Sequence, residues 1–463
     1  MAGSPDIRVA VLRQGARTSL GTQDWTSPGF GPVKAAKFFY SAVTSDGSSV
    51  NHARMGVGFT DGVNHRSVSV RSRHNRTTTS TERAISNSSV IVAIAQTTAT
   101  VAGKAIFDSW VTDGIRLDYT TAFAAAYKVT CVLFGGADLS AAVKGITTNA
   151  TEGGTTLENA LGIDPNCMIF AGGHGAANAG PTVRNDCFIS LGFAHNGADG
   201  PEQGCATFFD LDNQATTSAQ SAVVSDKYAG WHASASSAGS AITGAALEVT
   251  DWVTGGIEAT TREASEASLF VFLALDVGTA DIAIVHRKFL AIMATQTIQD
   301  PEAEPQAVIC LSTTSQEDLN TIAVNGDASG IGMGATANLA AGTEGACSIS
   351  CVDNVSTTDT ASHTDDTFFY QADDDGSHKV SGTVTTGSGS FNPRGITVDY
   401  ISNLLFGPRW LALYIQNTPI LKTIEATVTI TESDIEIHSS SPPANTAGRI
   451  AQGGLQRGKV HRG

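Results

Sequence analysis

Three sequence markers recur in the same order along this 463-residue chain, and this internal repetition restricts the fold more than any other feature. The first is a proline followed by an apolar segment, the second is a glycine-containing apolar segment, and the third is a Gly-Ile pair. The proline marker occurs at Pro32, Pro165 and Pro305. The glycine-containing segment occurs at Gly56–Phe59, Ser190–Phe193 and Gly330–Met333, and the Gly-Ile pair begins at Gly114, Gly256 and Gly395. The third-marker glycines are 142 and 139 residues apart. This regular spacing indicates one domain written three times.

Composition and local pattern favour strands. The chain has 48 glycines and only 16% charged residues, and Thr423–Thr431 alternates polar and apolar residues with the period of a strand. An apolar segment follows each third marker, at Val129–Phe134, Leu269–Leu275 and Trp410–Ile415. We therefore predict an all-β fold of three tandem homologous antiparallel β-sandwich or jelly-roll-like domains, with flexible N- and C-terminal arms. One short helix is expected near 155–161.

The repeat positions predict the domain boundaries. The predicted segments are an N-terminal arm (1–27), three β repeats (28–149, 150–289 and 290–430), and a C-terminal strand and basic arm (431–463). A last strand is expected to close each repeat, at 141–147, 281–288 and 421–430. We expect Gly114, Gly256 and Gly395 to adopt positive φ in a hairpin turn, where glycine is favoured.

Charge is unevenly divided among the repeats. The whole chain carries −16, but residues 28–149 carry +5, residues 150–289 carry −11 and residues 290–430 carry −12. The arginines of the first repeat are clustered at Arg66, Arg71, Arg73, Arg76 and Arg83, and the C-terminal arm adds Arg449, Arg457, Lys459 and Arg462. Such patches dock onto acidic proteins, including other copies of the same chain, or form an ordinary solvated face. Nucleic acid is the least favoured partner, because no aromatic residues are interleaved with the arginines.

Chemical motifs are sparse. The sequence has no nucleophile elbow, phosphate-binding loop, HExxH motif, EF-hand loop or zinc-ligand spacing, so we expect no enzymatic activity and no cofactor. The weak metal candidates Asp365, Asp366, Asp373 and Asp375 could hold Ca²⁺ through their carboxylates, but such clusters are more often solvated turns. Trp110 and Trp252 could stack on sugars, but their matching places beside the Gly-Ile hairpin favour packing.

Cysteine usage and hydropathy indicate an unexported, soluble chain. The seven cysteines have neither disulfide-framework nor metal-ligand spacing, so we interpret them as small core residues in a reducing compartment. The longest apolar run, 269–275, is much shorter than a membrane-spanning helix. The N-terminus also lacks the basic and apolar regions of a signal peptide.

The repeat also resembles a unit of tailed-bacteriophage virion structural proteins. The first repeat carries the resemblance best, in the opening Gly29–Phe38, the middle segment Gly58–Thr60 and the hairpin Gly114–Thr121. The second and third repeats depart from this pattern, and the third has Pro-Arg before Gly395. The resemblance implies a tail, fibre or minor structural component of the virion, with no assigned chemistry.

Three functional hypotheses follow. The favoured one is a tail or tail-fibre-associated structural protein that assembles into a symmetric oligomer with itself and with other virion proteins in the host cytoplasm. The second is a capsid decoration or head-fibre protein. The third is a receptor module that binds a host cell-surface polysaccharide, as loops of β-sandwiches often do. Triplication without a repeated polar constellation suits architecture better than chemistry.

Overall fold

The computed structural model describes residues 6–174, 181–197, 200–225, 227–235, 241–264, 267–278, 280–288, 295–299, 305–314, 328–338, 343–372, 379–384, 391–392, 395–400 and 409–419. Within these residues the chain contains β-strands and turns and no helix. The all-β prediction is therefore confirmed. The segment expected to be helical near residue 155 forms a strand instead.

The strands fall into three consecutive units. Unit 1 (8–135) contains β1 (Arg8–Gly15), β2 (Gly21–Thr26), β3 (Val33–Ser41), β4 (Ser48–Asn51), β5 (Ala53–Thr60), β6 (His65–Ser72), β7 (Thr81–Ser86), β8 (Ile91–Ile94), β9 (Val101–Val111), β10 (Gly114–Thr121) and β11 (Lys128–Gly135). Unit 2 (140–276) contains β12 (Ser140–Thr147), β13 (Thr155–Glu158), β14 (Cys167–His174), β15 (Thr182–Asn185), β16 (Cys187–Gly197), β17 (Gly200–Asp210), β18 (Ala219–Ser225), β19 (Gly230–Ala235), β20 (Ala241–Val253), β21 (Gly256–Ala264) and β22 (Ser268–Asp276). Unit 3 (280–419) contains β23 (Ala280–Lys288), β24 (Thr295–Gln299), β25 (Pro305–Thr313), β26 (Ala328–Ala337), β27 (Glu344–Val352), β28 (Thr360–Asp365), β29 (Phe369–Ala372), β30 (Lys379–Val384), β31 (Phe391–Asn392), β32 (Gly395–Tyr400) and β33 (Arg409–Pro419).

Each unit is an antiparallel sandwich of one large and one small sheet, with the same strand order. The large sheets run β1-β11-β3-β5-β6-β7, β12-β22-β14-β16-β17-β18 and β23-β33-β25-β26-β27-β28. The small sheets run β2-β10-β9-β8, β13-β21-β20-β19 and β24-β32-β30-β29, with β31 also paired to β32. Two strands cross between units: β15 extends the large sheet of unit 1, and β4 extends that of unit 3.

The strand pairing moves the unit boundaries toward the N-terminus. Strand β12 pairs with β22 and β23 pairs with β33, so each opens its own unit. The expectation that 141–147 and 281–288 close the preceding repeats is wrong, and 421–430 lies outside the described residues. The flexible N-terminal arm is also wrong for most of its length, because β1 pairs with β11 and β2 with β10. These pairings satisfy backbone groups that a free arm would leave to water.

One glycine in each unit is required by close backbone approach. A Cβ on Gly58 would lie 1.7 Å from the carbonyl oxygen of Val90, and Gly192 and Gly334 face equivalent carbonyls at 2.0 and 1.7 Å. Real Cβ atoms do not come this close, so no other residue fits there without moving the backbone. The unit 3 glycine equivalent to Gly58 and Gly192 is therefore Gly334. It lies two residues after the glycine that the second sequence marker would match to them.

The third-marker glycines also serve close approach rather than turn geometry. Positive φ occurs one residue earlier, at Asp113 (60°) and Gly255 (76°), and neither Gly114 nor Gly256 has it. A Cβ on Gly114 would instead lie 2.0 Å from the carbonyl oxygen of Trp25, on the neighbouring strand β2. The expected positive φ is therefore wrong at Gly114 and Gly256.

The large sheets are buried on both faces. In β22, Phe270 and Phe272 pack into the sandwich of unit 2, while Val271 and Leu273 face a core shared by all three units. The shared core also contains Phe39 from unit 1 and other apolar side chains from unit 3, including Ile309, Leu311, Met333, Ile349 and Leu413. Two-sided burial explains why these strands are continuously apolar rather than alternating.

One charged residue lies within this shared core. Lys37 of β3 is fully buried, and its Nζ has no hydrogen-bond partner among the residues that the structure describes. The ammonium group lies 5.7 Å from the centroid of the Phe39 ring and 5.9 Å from that of Phe193 in unit 2. Burial lowers the pKa of Lys37 to about 7. Strand register places Ile169 and Ile309 at the equivalent positions of units 2 and 3.

We predict that Lys37→Ile, which matches the other two units, stabilises the protein. In the unfolded chain the Lys37 amine stays protonated up to pH about 10.4, whereas in the folded chain it loses its proton near pH 7. The free energy of unfolding of the wild type therefore rises between pH 7 and 10, and below pH 7 the full cost of burying the charged ammonium group remains. The variant should gain about 1–4 kcal/mol at pH 6, with a smaller gain at pH 10. Thermal unfolding at both pH values measures this, with the exposed Lys34→Ile as control. An equal gain at both pH values would contradict the assignment.

Candidate assembly interface

The three units are joined by strands that cross from one to another. β15 of unit 2 pairs with the edge strand β7 of unit 1, and β4 of unit 1 pairs with the edge strand β28 of unit 3. Both crossing strands come from the same place in their units, between the third strand of the large sheet and its next neighbour. Each covers a sheet edge that would otherwise present unpaired backbone groups. The exchange therefore runs in one direction, from unit 2 to unit 1 and from unit 1 to unit 3.

A ring of equivalent backbone contacts closes the same cycle. The N–H of Asn213 in unit 2 donates to the carbonyl of Thr79 in unit 1 (3.1 Å), and the Thr79 N–H donates back to the carbonyl of Gln214 (2.9 Å). The Thr79 hydroxyl accepts from the Gln214 N–H at 2.7 Å. The same three bonds join Asn75 and Arg76 of unit 1 to Thr358 of unit 3, and Asn354 and Val355 of unit 3 to Thr217 of unit 2.

We call this set the axial ring. Its asparagines Asn75, Asn213 and Asn354 all have φ of 56°, a left-handed conformation that asparagine tolerates better than most residues. The sequence signal is Asn-x-x-Thr-Thr, at Asn75–Thr79, Asn213–Thr217 and Asn354–Thr358. Sequence analysis missed this repeated polar motif because it lies in turns of otherwise divergent composition. The ring relates the three units by a pseudo-threefold axis.

Three equivalent side chains meet beside the axial ring. Strand register makes Ser72, Asp210 and Cys351 equivalent, each on the fifth strand of its large sheet. The Ser72 hydroxyl donates to Asp210 Oδ2 at 2.6 Å, and Cys351 Sγ lies 3.6 Å from the same oxygen. One buried carboxyl thus links the side chains of all three units.

The environment of Asp210 favours its neutral form. The residue is fully buried, and burial raises the pKa of its carboxyl to about 7, assisted by the nearby Asp353 carboxylate and opposed by the hydrogen bonds from Ser72 and Cys351. Cys187, which pairs with Asp210 across the sheet, is a thiol whose own pKa is raised by burial. The junction therefore holds an acid that titrates near neutral pH.

We predict that Asp210→Asn makes stability less dependent on pH. Between about pH 4 and 7 the native state keeps a proton that the unfolded chain releases, so wild-type stability falls as pH rises through this window. The variant lacks this ionisation and should unfold at a higher temperature than wild type at pH 8, with a smaller difference at pH 5. Thermal unfolding across pH 4–8 measures this. A wild type whose stability rises from pH 5 to pH 8 relative to the variant would refute it.

We also predict that the buried threonines of the axial ring contribute more to the free energy of unfolding than their exposed neighbours do. Thr217→Val removes the hydroxyl that accepts the Val355 N–H at 2.9 Å, leaving that donor without its partner at a cost of about 1–3 kcal/mol. The adjacent Thr216 is exposed, so Thr216→Val should change little. Chemical denaturation of both variants measures the difference. Equal effects from the two substitutions would argue against a structural role for the ring.

Three of the five clustered arginines are used within the chain. Arg71 is fully buried, pairs with Glu82 and donates to the carbonyl of Thr98 at 2.8 Å. Arg83 donates to the carbonyl of Asp186 in unit 2 at 2.9 Å, and Arg66 donates to that of Asn87 at 2.8 Å. Arg71 and Arg83 thus stabilise unit 1 and its junction with unit 2 rather than facing outward.

The other two arginines lie at the axial ring. Arg73 follows Ser72 directly, and the backbone of Arg76 is part of the ring. Neither guanidinium has an ion-pair or hydrogen-bond partner among the described residues, and Nε of Arg73 is buried without one. Burial, with the nearby Arg76 and Arg71, lowers the pKa of Arg73. Of the arginine cluster predicted from the sequence, only the guanidinium groups of Arg73 and Arg76 therefore lack an ion-pair or hydrogen-bond partner among the described residues, and both lie at the axial ring.

The remaining sequence candidates fall in different places. Asp365 and Asp366 are adjacent at the end of β28, while Asp373 and Asp375 lie outside the described residues, as do Arg449, Arg457, Lys459 and Arg462. The described part of the chain contains no group of three or more potential metal ligands. Burial and the neighbouring Asp366 raise the pKa of Asp365 to about 6.

The tryptophans and cysteines pack as expected from the sequence. Trp110 packs against the sandwich core of unit 1 and lies across from Ile115, and Trp252 packs against that of unit 2 across from Ile257. All seven cysteines are buried and free. Burial raises the pKa of Cys205 above its ordinary value, which is typical of a structural rather than a reactive thiol.

A buried histidine lies at the junction of units 1 and 3. His363 Nδ1 lies 2.6 Å from the Ser49 hydroxyl of β4, and its Nε2 lies 2.9 Å from the Ser350 hydroxyl. The ring is fully buried, and burial lowers the pKa of His363 to about 3. This serine–histidine contact is closed to substrate, so it holds the crossing strand in place.

Comparison with known proteins adds no family. No protein-family model matches the chain, and no curated protein matches its sequence. Among solved structures, the chain aligns with fructofuranosidase from Schwanniomyces occidentalis complexed with fructose, at 6% identity and a TM-score of 0.16 over 89% of this chain and 98% of that chain. A TM-score this low carries no argument about fold or activity. In the described part of the chain, no helix has the length and apolar character needed to cross a membrane.

Proposed function

We propose that the chain is a non-enzymatic structural protein of a bacteriophage particle, associated with the tail or its fibres, in which one polypeptide supplies a pseudo-threefold building block. The phage assignment comes from the sequence resemblance, and the structural role rests on the physical arrangement of the units. One observation carries it: the axial ring joins unit 1 to unit 3, unit 3 to unit 2 and unit 2 to unit 1 by the same three bonds.

The arrangement of polar groups supports a structural role over a catalytic one. The buried acid and histidine that could do chemistry lie between units, where they are closed to solvent. They connect the units to each other: Asp210 bonds to Ser72 across one junction, and His363 to Ser49 across another. Such contacts stabilise an assembly without a substrate.

A second placement is supported by the same pseudo-threefold arrangement. A single chain that mimics a closed trimer can occupy a threefold position of a capsid lattice, as a decoration protein would. The polysaccharide-binding alternative has less support, because the two tryptophans considered for sugar stacking pack against sandwich cores.

Cryo-EM of purified particles that contain the chain tests the proposal. We expect density for this fold at fixed positions in the tail, with the pseudo-threefold axis aligned with a symmetry axis of the particle. Particles assembled without the chain provide the control, and the density should disappear from them. Density on the capsid would select the decoration role. The absence of the chain from particles would refute the proposal.

A further inference from the structure

We propose that copies of this chain associate head to tail, with Arg73 and Arg76 of one copy binding Asp365 and Asp366 of the next. This inference rests on the proposed structural role and names a partner for one of its surfaces. The partner is a second copy of the chain.

The basic side of the contact is a pair of neighbouring guanidinium groups. Arg73 and Arg76 lie in the turn after β6, and within the described part of the chain neither forms an ion pair. Arg76 is exposed, as are its neighbours Asn75, Thr77 and Thr78. The residues equivalent to Arg73 and Arg76 are Leu211 and Gln214 in unit 2 and Val352 and Val355 in unit 3. The positive charge is thus a special feature of unit 1 and is not needed to form the ring.

The acidic side lies at the far end of β28, a strand of unit 3 that begins beside the basic turn. Thr360, the first residue of β28, donates to the carbonyl of Ser72 at 3.1 Å, which places this end of the strand beside Arg73. Asp365 ends β28, about 17 Å further along at the rise of an antiparallel strand. Asp366 is exposed, and neither carboxylate forms an ion pair with a described residue. The nearby Arg13 opposes the rise in the pKa of Asp365 but pairs with Asp46 instead. Two adjacent carboxylates and two adjacent guanidinium groups, none of them in an ion pair with a described residue, are complementary in charge and geometry.

The charge distribution of the whole chain favours a second copy over nucleic acid. Lys and Arg outnumber Asp and Glu by 14 to 7 in residues 8–135, but acids outnumber bases by 15 to 4 in 140–276 and by 16 to 5 in 280–419. A basic surface on one unit and strongly acidic neighbouring units attract between copies. Nucleic acid would be repelled by two of the three units, and the 73–78 turn has no phenylalanine, tyrosine or tryptophan for base stacking.

Contacts between different surfaces on each copy are heterologous, so they propagate. Because the basic turn lies beside the first residue of β28 and the acidic pair lies at its far end, each added copy presents a new free basic surface. Such contacts build rings or open stacks rather than closed dimers. This type of growth suits an elongated particle component.

Sedimentation velocity of the purified full chain tests the inference. At low salt, about 20 mM, we expect the mean mass to rise with protein concentration, and at about 500 mM we expect it to return to that of one chain, because salt screens exposed ion pairs. R73E/R76E should weaken association at low salt by about tenfold or more. D365R/D366R should do the same. K34E/K104E, which reverses two charges of unit 1 away from the ring, should associate like wild type.

A mixture of the two charge-reversed variants gives the sharpest result. R73E/R76E has acidic groups at both ends and D365R/D366R has basic groups at both ends, so an equimolar mixture should associate although neither variant does so alone. R73Q/R76Q checks that the loss does not come from misfolding, and circular dichroism should show all variants folded. Association that survives R73E/R76E, or a mixture that fails to associate, would overturn the inference.

Two further outcomes separate this inference from the proposed function. If wild type stays a single chain at low salt but is found in particles, the head-to-tail contact is wrong and the structural role stands. If wild type binds single-stranded DNA in a gel-shift assay and R73E/R76E does not, the arginine pair serves nucleic acid and the inference is overturned.

Discussion

Burial of both faces of the large sheets is the constraint on which the rest of the structure depends. Each large sheet packs one face into its own sandwich and the other into a core shared by all three units, as Phe272 and Leu273 do from adjacent positions of β22. A unit separated from its neighbours would expose the Leu273 side of that sheet, a large apolar surface that a soluble monomer rarely carries. The three units are therefore better understood as one cooperative fold than as separate domains on a string.

Polar interactions join the three units at the junctions that the shared apolar core creates. The axial ring satisfies backbone groups at turns, the crossing strands cover sheet edges, and the link between Ser72 and Asp210 joins two units by one short hydrogen bond. Covalent linkage of the units makes these contacts intramolecular, which raises their effective concentration over that of a true trimer. Linkage also allows the units to diverge: only one of three equivalent positions carries Asp210, and only one carries Lys37. Asymmetry of charge on a pseudo-symmetric frame follows from this freedom.

Much of the fold could be predicted from the sequence because repeats and strand periodicity are local signals. The three markers, the all-β class and the packing of Trp110 beside Ile115 all follow from residues close together in the chain. Predictions that depended on pairing partners were less successful. Strand β1 looks like part of an arm until its pairing with β11 is known, and β12 looks like the end of one repeat until it pairs with β22. The arginine cluster was predicted as one surface patch, but in the structure some of its arginines are bonded within the chain and others are not. An ion pair such as that of Arg71 with Glu82 depends on strand register, which the local sequence does not give.

The sequence by itself determined that this protein is a triplicated β-sandwich, since hydrophobic periodicity and repeated glycines act within a few residues of each other. Tertiary structure decided where each unit begins, which arginines remain unpaired and how the units close into a cycle. The Asn-x-x-Thr-Thr turns show the division most clearly. The motif is present three times in the sequence, but each asparagine bonds to a threonine in a different unit, more than 130 residues away in all three cases. Contacts between residues so distant in the chain arise only when burial of the shared core has brought the units together.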